Sequence, residues 1–91
     1  MEKRRAVVSV VGKDKVGIIA KVTMTLAKNG INILDISQTI LDDFFTMIMI
    51  VDVSKQDHLD GVRNQLNEVG DDLGLKITVQ LEEIFQAMHR V

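Results

Sequence analysis

The apolar positions of the chain change period five times along its length, and each change marks an element. Ala6 to Val11 reads Ala-Val-Val-Ser-Val-Val, a short β-branched run apolar on both faces. Such a run predicts a strand in the middle of a sheet. Gly12 is expected to end it. From about Val16 to Lys28 the period lengthens. Ile18, Ile19, Val22 and Leu26 form one stripe at helical spacing, and Lys21 and Lys28 lie on the opposite side. Asn29-Gly30 supplies the stop, because glycine readily takes the left-handed conformation that closes a helix.

Alternation returns over Asn32 to Leu41. Leu34, Ile36 and Ile40 share one side with Gln38, and Asp35, Ser37 and Thr39 share the other. This predicts a strand with one wet face. Asp42-Asp43 is a candidate tight turn into Phe44 to Val53. There Phe45, Met47, Met49 and Val51 fill one face and Phe44, Ile48 and Ile50 the other. Ser54 and Asp57 resemble a capping box ahead of a helix carrying Leu59, Val62, Leu66, Val69 and Leu73, with Gly74 as its C-terminal cap. Leu75, Ile77, Val79 and Leu81 alternate with Lys76, Thr78 and Gln80 in a last half-wet strand. Ile84, Phe85, Met88 and Val91 are spaced for a short amphipathic helix.

The order is β-α-β-β-α-β, with strands one and three apolar on both faces. That is the pattern of an α+β ferredoxin-like βαββαβ sandwich: an antiparallel four-stranded sheet of order 4-1-3-2, two helices on one face and a short C-terminal helix. Both helices cover the same face. The other face then carries an apolar centre, which marks a contact surface. A docked tail and a homodimer are both expected to cover it.

A chain of 91 residues accommodates one domain, residues 1–91, with a core of about 5–81 and a helical tail at 82–91. It contains no cysteine, which excludes disulfides, thiolate nucleophiles and cysteine-ligated metals. Net charge is −2, and the one tight basic cluster is Lys3, Arg4 and Arg5. Nucleic-acid binding is not expected, since it draws on clustered cations. No apolar stretch approaches the roughly 20 residues of a membrane helix. No cleavable leader is apparent either, so the expected location is cytoplasmic.

Candidate chemistry is sparse. His58 and His89 have no partner at metal-ligand spacing. The adjacent pairs Asp42-Asp43, Asp71-Asp72 and Glu82-Glu83 sit at element ends, where neighbouring side chains diverge. Ser9, Ser37 and Ser54 lack a base. The first strand–helix loop has Lys13 and Lys15 where acylphosphatases of this fold use an arginine, and no Cys-x-x-Cys as in metallochaperones. The first strand has none of the aromatics on which RNA-recognition motifs stack bases. No catalytic residue, metal or cofactor is assigned, and an enzyme is not expected.

What remains is Gly12-Lys13-Asp14-Lys15-Val16-Gly17-Ile18-Ile19, a loop entering a helix. Unpaired N–H groups at a helix start attract a carboxylate or phosphate. Asp14 suits the N-cap of the helix or an ammonium group. Gly17 leaves room for a close approach.

This loop, followed by Gly30-Ile31-Asn32-Ile33, resembles the signature of ACT domains. It matches at Gly12, Asp14, Gly17, Ile18, Gly30, Asn32 and Ile33, and the resemblance covers about Arg5 to Leu81. Single-domain ACT proteins are most similar, together with the ACT domains of glycine-cleavage repressors and formyltetrahydrofolate deformylases. The resemblance implies a regulatory module that binds an amino acid at a dimer seam. Asp14, Gly17, Ile18 and Asn32 would line the ligand, and Ala20, Thr23, Met24 and Ala27 would form the helix contact between copies. A metabolic enzyme or a transcriptional regulator would be the further partner. The alternative is a ligand-free module for dimerisation or docking.

Overall fold

The computed structural model describes residues 4–13, 16–56 and 59–84. Six elements follow in the expected order: β1 (Arg5–Lys13), α1 (Ile18–Lys28), β2 (Asn32–Leu41), β3 (Phe44–Asp52), α2 (Asp60–Leu73) and β4 (Leu75–Leu81). The sheet order is β2-β3-β1-β4, and every neighbouring pair is antiparallel. This is the ferredoxin-like 4-1-3-2 sheet. Glu82–Ile84 begin a helical turn, and the remainder of the expected tail helix lies outside the described residues.

One face of the sheet meets α1 and α2. Val8 and Val10 of β1, Met47 and Met49 of β3, and Ile77 and Val79 of β4 pack there against Ile18, Val22 and Leu26 of α1 and Val62 and Leu66 of α2. The apolar stripe of α1 is narrower than its sequence suggests. Ile19 is not in the core, and sits 39% exposed at the edge of the helix layer.

Three boundaries differ from the sequence reading. β1 continues through Gly12 to Lys13, because Gly12 stays in register with Phe45 and Leu75. A Cβ at Gly12 would lie 2.6 Å from Leu75 Cδ2 and 3.1 Å from the Gly74 carbonyl, so the residue allows close strand packing. α1 starts at Ile18 instead of Val16. Gly17 is its N-cap with φ 89°, a left-handed value that no helical residue holds. α2 starts at Asp60, and Ser54 does not cap it. The Ser54 hydroxyl accepts from the Arg4 N–H at 2.9 Å, and the Ser54 N–H donates to Asp52 Oδ1 at 2.9 Å. Asp57, its expected capping partner, lies outside the described residues.

The end of α1 follows the sequence closely. Gly30 has φ 70°. The Ile31 N–H donates to the Leu26 carbonyl and the Gly30 N–H to the Ala27 carbonyl, both at 3.0 Å. This is the paired closure of a Schellman motif, and its apolar partners Leu26 and Ile31 are both buried. Asn29 then ties the helix down. Its amide donates to the Thr25 carbonyl at 2.7 Å and to Gln65 Oε1 of α2 at 3.0 Å.

Candidate functional site

The largest departure from the sequence pattern is β2. Alternation predicts one buried face, yet nearly every residue of the strand is exposed. Ile36, Gln38 and Ile40 do lie on the helix side, opposite Met49, Met47 and Phe45 of β3. Neither helix reaches far enough to cover them. Leu34 does not join their row, because a bulge between Ile33 and Asp35 shifts the register there. Asp35 Oδ1 accepts the Ile36 N–H at 2.8 Å beside the bulge.

The uncovered strip becomes the floor of a groove whose other wall is α1. One section, of about 440 Å³, is lined by Gly17, Ile18, Ile19, Ala20, Gln38, Ile40 and Phe45. A second, shallower section of about 590 Å³ is lined by Ala20, Thr23, Met24, Ala27, Ile31, Asn32 and Ile33. Ala20 belongs to both, so the two sections adjoin along the helix. The lining is mainly aliphatic. Gln38 is the polar side chain on the floor of the first section, and Asn32 lies at the start of the floor of the second.

The residues singled out from the sequence fall on this groove as follows. Gly17 and Ile18 line its first section, and Asn32 lines the second. Ala20, Thr23, Met24 and Ala27 form the α1 wall, open to solvent instead of packed inside the domain; Met24 is 57% exposed. Thr23 turns its hydroxyl back to the Ile19 carbonyl at 2.7 Å. Asp14 lies outside the described residues, as do His58 and His89. The sequence reading assigned none of Gln38, Ile40 and Phe45 to the site. Gln38 did interrupt an apolar row, and that interruption was the available signal.

At the groove's upper end, the first helical hydrogen bond of α1 runs from the Lys21 N–H to the Gly17 carbonyl at 2.9 Å. The N–H groups of Ile18, Ile19 and Ala20 precede it, and among the described residues no side chain caps the helix. A Cβ placed on Gly17 would meet nothing within 4 Å. Among the described residues the space above Gly17 is empty, and the glycine is required there by its backbone angle.

A family model described as ACT domain matches residues 4–80. The chain belongs to the ACT domain family. A UPF0237 protein of Clostridium acetobutylicum is 52% identical over 96% of this chain and 99% of its own. The solved ACT domain protein from Streptococcus pneumoniae superimposes with a TM-score of 0.81 at 42% identity, covering 97% of this chain and 100% of the other. The regulatory subunit of aspartate kinase from Thermus thermophilus, solved in its ligand-free form, is 25% identical with a TM-score of 0.68, over 85% of this chain and 51% of that one. Within this ACT domain the groove lies beside the loop and the Asn-Ile pair that carried the resemblance.

Proposed function

We propose that the protein is a regulatory module that binds a small amino acid where two copies meet along the α1–β2 groove. The observation that carries this reading is the groove itself: an aliphatic trough, open along one side, that ends at the first turn of α1. Its two kinds of surface suit the two parts of an amino acid. The N–H groups of the first turn of α1 complement a carboxylate. Ile19, Ile40 and Phe45 complement an apolar body. In this reading Asp14, Gly17, Ile18 and Asn32 contact the ligand, with Asp14 receiving its ammonium group.

A second copy completes the site. β2 is an edge strand with exposed Ile36 and Ile40. Exposed apolar edges invite pairing with another chain. At the other edge, one β4 carbonyl, that of Val79, already accepts from Arg63 Nε at 3.0 Å. Joining β2 to its counterpart would bring the two α1 helices together through Ala20, Thr23, Met24 and Ala27, where small side chains allow close approach. The alternative function of the seam, ligand-free dimerisation or docking to a regulated protein, uses the same surfaces.

Isothermal titration of the full chain against the twenty amino acids is the test. The expected result is saturable binding of one or a few of them, lost in Asn32→Ala while the dimer persists. No heat at millimolar ligand, with the dimer intact, would leave the docking reading in its place.

A further inference from the structure

The sheet face away from the helices is less uniformly apolar than its sequence suggests, and its exposed apolar part is concentrated at one end. Register places Val7, Ser9, Val11 and Lys13 of β1 on this face, with Phe44, Thr46, Ile48 and Ile50 of β3, and with Lys76, Thr78 and Gln80 of β4. Asp35, Ser37, Thr39 and Leu41 of β2 complete it, Asp35 opposite Ile50 at the end away from the β2–β3 turn. Near Arg5 the face is closed in. Val7 is buried there, and Arg5 Nη2 reaches both oxygens of Glu82 at 2.8 and 2.7 Å. Towards the β2–β3 turn it is open. Leu41 is 76% and Phe44 58% exposed, and Val11 and Ile48 are exposed beside them.

Charge flanks this open end asymmetrically. The turn Asp42-Asp43 lies on its β2–β3 side. Lys13 and Lys76 lie on its β1–β4 side, and all four side chains are without an ion-pair partner among the described residues. The geometry points to a second copy of this chain as the occupant, packed face to face. A two-fold axis running along the strands exchanges the β2–β3 side with the β1–β4 side. It sets Lys13 and Lys76 of each copy over the acidic turn of the other, with Leu41, Phe44, Val11 and Ile48 enclosed between them. Self-complementarity of this kind is what a two-fold interface requires, and opposite charges at its rim fix its register. The surface is separate from the α1–β2 groove and does not depend on it.

The test is charge reversal with rescue, read by sedimentation equilibrium across a dilution series. One variant combines Asp42→Asn with Asp43→Lys; asparagine tolerates the left-handed backbone of Asp42. The other combines Lys13→Glu with Lys76→Glu. Each alone is expected to dissociate at roughly ten-fold or more higher concentration than the wild type, to half the wild-type mass. Mixed one to one, they are expected to regain the wild-type mass. Halving is read whether the groove seam forms or not: from four copies to two if it does, from two to one if it does not. Circular dichroism checks that each variant is folded. Reversed variants that keep the wild-type mass at every dilution, or a mixture that stays dissociated, would overturn the proposal. So would a chain ending at Ile84 that assembles more tightly than the wild type, since the tail would then be the occupant.

Discussion

Gly12 and Gly17 bracket the same loop, and the structure gives them different reasons to be glycine. At Gly12 the obstacle is packing. An added methyl would meet Leu75 Cδ2 at 2.6 Å, which can move, and also the Gly74 carbonyl oxygen at 3.1 Å and Leu75 Cα at 3.2 Å, which are main chain. Gly12→Ala therefore forces β1 and the start of β4 apart. Overpacking of this kind costs about 1–3 kcal/mol. For a chain of this size each kcal/mol lowers Tm by about 4–8 °C. At Gly17 no obstacle lies among the described residues, and the cost is the angle. Holding an L-residue in the left-handed region costs about 1–2 kcal/mol. The two are separated by asparagine, which accepts left-handed angles but is larger than alanine. Gly17→Asn is expected to recover part of the loss seen in Gly17→Ala, whereas Gly12→Asn is expected to be worse than Gly12→Ala. Urea unfolding of the four variants reads both orders. A Gly12→Ala protein within about 0.5 kcal/mol of wild type would refute the packing argument. Equal losses for Gly17→Ala and Gly17→Asn would refute the angular one.

Other expectations are simpler. Asp42 holds φ 59° in the β2–β3 turn. Asp42→Val is expected to cost about 1–2 kcal/mol, and Asp42→Gly to be neutral or stabilising by thermal melting. Leu66 is fully buried among the core residues of the sheet and α1. Leu66→Ala is expected to lose about 2–5 kcal/mol in urea unfolding. The Arg5–Glu82 pair is short but its arginine side chain is 46% exposed. Glu82→Gln is expected to change stability by less than about 1 kcal/mol, and a larger loss would mean that the pair holds more than itself in place.

Element order, strand order and the end of α1 were legible because each rests on local chemistry. The β-branched run at Ala6–Val11, the stripe Ile18, Val22, Leu26 and the Asn29-Gly30 stop say what they are without reference to neighbours. Strand order followed from which strands are apolar on both faces. The start of α2 was misread because Ser54 has a second use, accepting from Arg4 across the chain, and a capping pattern does not reveal a competing long-range donor. β2 was misread for a different reason. Alternation tells which side of a strand is apolar, but not whether anything covers that side. Ile36 and Ile40 look the same in sequence whether a helix of the same chain lies over them or a second chain does. The groove was therefore invisible, although most of the residues that line it had been picked out.

The groove owes its existence to the opposite edge of the sheet. Four strands spaced about 4.8 Å apart present a width close to that of two helices packed about 10 Å apart, so α1 and α2 could have covered the face evenly. They do not, because α2 is drawn onto β4. Gly70, in α2, is buried, and a Cβ there would lie 2.7 Å from the Leu75 carbonyl oxygen. A helix that sits this close to one edge brings its neighbour with it, and Asn29 fastens α1 to α2 through Gln65. The layer is displaced toward β4 and β2 is left bare. Gly70→Ala tests the argument. The obstructing atom is main chain and cannot swing away, so the variant is expected to lose about 1–3 kcal/mol in urea unfolding. If it folds, α2 must move outward and α1 with it, toward β2. Amide resonances of Ile36 to Ile40 should then shift although the substitution lies at the far edge of the sheet. A variant as stable as wild type, or one whose β2 resonances stay in place, would show that the bare strand has another cause.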